Sequence, residues 1–123
     1  MSVRFLRIAV VYFVVAVSIG LYMGITSNFT QVPVHAHLNL LGWVSMALFG
    51  LIYQAHPAAG QTKLAIWHFR IHNLSLPVFM ASLFVMLAGN PGLGPVVGLA
   101  GAVTLIGIVL FAVNLWRTVP AGS

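Results

Sequence analysis

The chain is 123 residues long, 61% hydrophobic and only 4% charged, with five Lys or Arg and no Asp, Glu or Cys. A soluble domain carries about 25% charged residues, so this composition and a mean hydropathy of +1.08 exclude a surface solvated by water. The missing carboxylates and thiols exclude carboxylate acid–base pairs, carboxylate-bridged metals, disulfides and cysteine nucleophiles. Five scattered cations make no basic stripe for nucleic acid, despite a pI near 11.0.

A membrane helix needs about 20 mostly apolar residues. Four stretches meet that length, at about residues 5–25, 34–53, 64–87 and 93–115, separated by polar or Pro/Gly-rich joints at 26–33, 54–63 and 88–92. This predicts an all-α integral membrane protein with a single domain over residues 1–123, built as a four-helix protomer. The basic start of the first stretch would suit a signal peptide. Its apolar run is too long for one and no small-x-small cleavage site follows, so it reads as a retained helix. Arg4 and Arg7 precede the first helix, Lys63 and Arg70 flank the start of the third, and Arg117 ends the fourth. With four spans, all five cations fall on one side, a positive-inside pattern. Both termini are therefore expected in the cytoplasm, in a multi-pass protein of the cytoplasmic (inner) membrane, with Trp67 and Trp116 near the inner interface.

Polar residues inside spans are costly and mark candidate functional sites. The most informative are His35 and His37, at the outer end of the second helix. Two residues on an α-helix subtend about 200°, so these imidazoles point to opposite flanks and cannot share one metal on a regular helix. They can serve two cofactors at similar depth. The plainer alternative is that one caps the helix and the other is solvated at the interface. In a closed ring of identical subunits, each gap between neighbouring second helices receives His37 from one chain and His35 from the next. That makes a bis-imidazole site suited to a six-coordinate haem, which brings its own iron and asks the protein only for axial ligands.

The stretch VHAHLNLLGWVSMALFGLIY, residues 34–53, resembles the tenth helix of the haem-copper oxidase catalytic subunit, above all that of C-type oxidases and nitric oxide reductases. IWHFRIHNLSLPVFM, residues 66–80, is similar to the start of that family's eleventh helix. The resemblance covers the last four helices of a subunit that normally has twelve. It implies that His35 ligates a high-spin haem and His37 a low-spin haem, both of b type. It further implies that a free-standing four-helix unit assembles as a homotrimer, reproducing the family's three arcs of four helices, with a neighbour's His35 as the second ligand of the low-spin haem. Departures limit the likeness. The outer end of the third helix reads Val85-Met86-Leu87-Ala88-Gly89-Asn90, with none of the family's copper-binding histidines. The family's oxygen-reducing Tyr has no convincing counterpart. The outer basic residues that meet haem propionates are missing too, leaving Thr26, Asn28, Asn90, backbone amides or water. Haem without the oxidase copper site is expected, with electron transfer or haem binding in place of oxygen reduction.

A second pair, His68 and His72, shares one helix face, a spacing that can chelate Cu or Zn, with His56 nearby in the joint. At 1.5 Å per residue this pair lies roughly 15–25 Å inward of His35 and His37, so the two clusters cannot share a metal. The plainer reading is a pair of inner-interface histidines, solvated beside Trp67 and Arg70 or packed against helix ends. Trp, Tyr and His near that interface are also compatible with a quinol or cytochrome redox partner. Gly94 and Gly98 with Gly101, and Gly20 with Gly24, are spaced for close helix contact. Pro77 is expected to kink the third helix, and Met23 is a minor alternative axial ligand. Three functions remain open: a haem b membrane cytochrome, a His-based copper or zinc protein, and a cofactor-free accessory or assembly subunit of a respiratory complex.

Overall fold

The computed structural model describes residues 1–122, which are helices and connecting turns with no strand among them. Helix α1 spans Ser2–Thr26. Helix α2 runs without interruption over Val32–Ala55, but it is composite: an α-helical start Val32–His37, a π-helical stretch Leu38–Val44 and an α-helical end Ser45–Ala55. After a single turn at Pro57–Gly60 come α3, Lys63–Leu87, and α4, Gly94–Thr118. All four helices are long and apolar enough to cross a membrane, which makes the chain a multi-pass membrane protein. Each span expected from hydropathy is present, with ends moved by up to three residues.

Local chemistry sets where the helices stop. Ser27 turns left-handed after α1, at φ 53°. Gly89 ends α3 at φ 122°, a conformation open to glycine because it lacks Cβ. Thr62 begins α3, its side-chain oxygen accepting from the Ala65 amide at 3.0 Å and so satisfying one of the helix's free donors. Pro77 sits inside α3, which continues through it as one helix, as membrane helices tolerate.

The helices pack as two close pairs, α1 on α2 and α3 on α4. Glycine sets the first pair's spacing. A Cβ on Gly20 would stand 2.7 Å from the His35 ring, one on Gly42 2.6 Å from the Tyr12 ring, and one on Gly50 2.9 Å from Leu6 and the Ser2 carbonyl. In the second pair, Gly107 lies against Ile71 and the His72 backbone, and Gly101 against the Phe79 ring. Gly24, Gly94 and Gly98, expected at helix contacts, face open space within the protomer. Hydrogen bonds join the second pair as well. Thr104 Oγ1 donates to Ser75 Oγ at 2.9 Å, in a buried contact between α3 and α4.

The four helices converge at the end that carries Arg4, Arg7, Lys63 and Arg117, called the inner end after the orientation expected from charge. There Phe5 of α1, Phe49 and Tyr53 of α2, His68 and Phe69 of α3, and Phe111 of α4 form one aromatic knot. Toward the outer end α1 and α3 separate. They leave an apolar groove of about 690 Å³, walled by Val15, Ile19 and Met23 on one side and Phe84 and Leu87 on the other.

Candidate functional site

Two histidine pairs occupy different environments. His35 and His37 sit on the first turns of α2, both half-buried. His35 turns toward α1, where the bare backbone of Gly20 makes room for its ring, and its Nδ1 donates to the Ala16 carbonyl at 2.7 Å. His37 turns the other way. Its ring meets the Phe79 ring of α3 at 5.6 Å, and its Nδ1 donates to the Pro33 carbonyl one turn earlier at 2.7 Å. The opposite-flank geometry read from the spacing is thus present. Because a carbonyl only accepts, each neutral ring carries its proton on Nδ1 and keeps a lone pair on Nε2. A hydrogen bond from the second ring nitrogen to a carbonyl is the usual support of a metal-binding imidazole, fixing tautomer and ring orientation.

The polar side chains named for propionates are partly committed elsewhere. Thr26 Oγ1 donates to the Tyr22 carbonyl and Asn90 Nδ2 to the Val85 carbonyl. Asn28 uses its side-chain oxygen on the amide and hydroxyl of Thr30, in a local turn. Met23 is buried and lines the outer groove.

His68 and His72 are not solvated at an interface. Both are 0% exposed. His68 lies between the Phe5 ring at 5.2 Å and the Phe111 ring at 5.0 Å, with the Phe49 ring edge-on at 4.4 Å. The sequence correctly put the two imidazoles on one face. That face turned out to be the one α3 presents to the other three helices, so the aromatic side chains of α1, α2 and α4 cover it. His72 stands seven residues inward of Phe79 and His68 eleven, about 10 Å and about 16 Å along α3 at about 1.5 Å per residue. The inner pair therefore reaches closer to the level of His37 than spacing along the chain suggested. His68 Nδ1 pairs with the Tyr53 hydroxyl at 2.8 Å, and His72 Nε2 donates to the Leu41 carbonyl at 3.0 Å. The other nitrogens, His68 Nε2 and His72 Nδ1, are buried without a partner. His56 does not join them. It lines a separate inner groove on the far side of Phe111, and no cluster of three or more His, Cys, Asp or Glu exists among the described residues.

Ser75, Thr104 and Asn114 were not singled out from the sequence. Asn114 of α4 is fully buried, accepting from Thr62 Oγ1 at 2.8 Å and donating to the Ala59 carbonyl at 2.8 Å, which fastens the inner turn to α4. A lone Asn in an apolar span was the available signal, since such a residue needs partners.

A multi-pass helical chain whose polar interior is built from imidazoles is the class that fold and site define. Among known proteins it is similar to the cytochrome c oxidase subunit 1 homolog, bacteroid, of Bradyrhizobium diazoefficiens. Identity is 27% over 119 residues, covering 72% of this chain and 22% of that protein. The chain thus spans less than a quarter of its relative's length. The likeness supports a loose relation to the haem-copper oxidases. No family model matches the chain, and no solved structure matches it.

Proposed function

We propose that the chain is a haem b-binding membrane cytochrome of the cytoplasmic membrane, with His35 and His37 as axial ligands of haems held between copies of the chain in a homotrimer. The observation that carries this reading is the state of the two rings. Each gives its Nδ1 proton to a backbone carbonyl, which leaves Nε2 free to ligate iron, and each faces a different flank of α2. One chain therefore offers one ligand to each of two sites, and a second copy completes each site. The donor set fits the group: neutral imidazole is the ligand available to a chain without carboxylate or thiolate. Bound haem would supply a one-electron couple at an iron whose axial positions are filled by the protein. The chain's own part is to orient the imidazoles, through Gly20, Ala16 and Pro33, and to surround the macrocycle with apolar side chains. Electron transfer with a quinol or cytochrome partner follows from this reading, and oxygen reduction does not. The similarity to an oxidase subunit supports it from an independent direction.

The test is an optical spectrum of the detergent-purified protein, reduced against oxidised, with a pyridine haemochrome assay. Sharp reduced bands of low-spin b haem, lost in His37→Ala, are expected. A featureless spectrum after haem-sufficient expression and reconstitution overturns the cytochrome reading, and leaves a His-based metal-binding role or a cofactor-free accessory role.

A further inference from the structure

The inner pair has a geometry that the cytochrome reading does not use. His68 is held by Tyr53 and His72 by Leu41, two residues on α2 that stand twelve positions apart. Tyr53 lies toward the inner end and Leu41 toward the outer end, so the rings are pinned from opposite directions. The two nitrogens of an imidazole lie on different edges of the ring. With Nδ1 of His68 and Nε2 of His72 engaged in this way, one nitrogen of each ring remains, His68 Nε2 and His72 Nδ1, on two rings that share one face of α3. Both of these atoms are buried and unpartnered.

Buried polar atoms are nearly always paired, and an orphan calls for an explanation such as a water or an ion. If the rings existed only to satisfy each other, His68 Nε2 would donate to His72 Nδ1, and no such bond forms. The ring centroids are 5.9 Å apart. Two metal–nitrogen bonds of roughly 2 Å each reach across roughly 4 Å between nitrogens, a span open to rings 5.9 Å apart.

We infer that His68 Nε2 and His72 Nδ1 bind one monovalent copper ion, in two-coordinate geometry. The donor count excludes zinc, which takes four ligands in structural sites and three protein ligands in catalytic ones. Charge excludes any divalent ion, since the chain has no carboxylate to offset it. Cu(I) needs only a single charge compensated, and imidazole suits copper. The Phe5, Phe49 and Phe111 rings enclose His68 and keep water from the pair. Tyr53 and the Leu41 carbonyl supply the supporting hydrogen bonds typical of metal-bound imidazoles. The Phe111 ring, which lies against His68, separates the pair from a groove of about 780 Å³ lined by His56 and Trp116, so an ion reaches the site only as that ring moves aside.

The test uses the full chain in detergent, titrated with Cu(I) under ascorbate against a competing colorimetric chelator, with copper-edge X-ray absorption on the loaded protein. One Cu(I) per chain in a two-nitrogen environment is expected, with no retention of Zn(II). His72→Leu should abolish binding and His72→Met should keep it, because a thioether also ligates Cu(I). Both variants are checked for native helicity and size, and both fill the volume of the ring. Tyr53→Phe should weaken binding by roughly tenfold, as loss of a supporting partner does. A His35→Ala/His37→Ala double variant should bind Cu(I) as well as the parent chain, which separates this site from the haem reading. No Cu(I) bound, Cu(I) retained at full strength in folded His72→Leu, or a three- or four-coordinate edge overturns the proposal. The first of these outcomes would assign the gap to a buried water.

Discussion

The outer and inner halves of the bundle treat imidazole in opposite ways. At the outer end, His35 and His37 are each tied through Nδ1 to a carbonyl and stay half-exposed on opposite flanks. In the inner half, His68 and His72 of α3 share one enclosure, fully buried, each with one nitrogen unpartnered. Identical side chains in one small bundle thus offer two different kinds of ligand. Where the rings stay half-exposed, as at His35 and His37, the proposed partner is as large as a macrocycle and a second chain is needed to complete each site. Where the rings are wholly enclosed, as at His68 and His72, the proposed partner is a single small ion and one chain completes the site alone.

Substitutions that act on one half and spare the other sharpen this contrast. The largest effect is expected from Gly20→Val, because even its Cβ would stand 2.7 Å from the His35 ring. The ring must leave its place, so the haem spectrum should disappear while Cu(I) titration still saturates at the inner pair. Retention of a normal haem spectrum in this variant would show that His35 is not held as described. Next comes Asn114→Leu, which removes the bonds of Asn114 to Thr62 and to the Ala59 carbonyl and leaves those two groups the 3.2 Å bond between them. A loss of about 1–3 kcal/mol is expected for two hydrogen bonds at about 0.5–1.5 kcal/mol each, read as a lower thermal midpoint in detergent, with the haem spectrum unchanged in shape. The smallest is Thr104→Val, which removes the bond to Ser75 between α3 and α4. Such interhelical bonds average about 0.6 kcal/mol, so the same thermal assay should move only slightly, and a shift as large as that of Asn114→Leu would contradict the assignment.

The spans were legible because lipid imposes one demand, an apolar run of sufficient length, that a linear pattern records directly. The opposite flanks of His35 and His37 were legible for a similar reason, since angular spacing on a helix follows from residue count. The environment of His68 and His72 was not. Their common face could be read, but which neighbour covers that face depends on how α1, α2 and α4 converge on it. The glycines make the same point. Gly94 and Gly98 have the spacing of a contact motif yet face open space, while Gly107, with no such spacing, touches the His72 backbone. Spacing says that a close approach is feasible, and only the packing decides where it happens. Thr104, Ser75 and Asn114 were passed over because each is a lone polar residue in an apolar span, with its partner on a different helix or in a turn.

The wide turn at Leu38–Val44 has a consequence of another kind. Each residue of an α-helix advances the azimuth by about 100°, and a π-helical turn absorbs extra length by changing that phase. This stretch therefore acts as a coupling between two dials: it sets the bearing of the HxH turn above relative to Phe49 and Tyr53 below. Its residue count matters more than its letters. An inheritance that swaps one apolar side chain for another here leaves both dials aligned, whereas gain or loss of a single residue would rotate one histidine pair's surroundings against the other's.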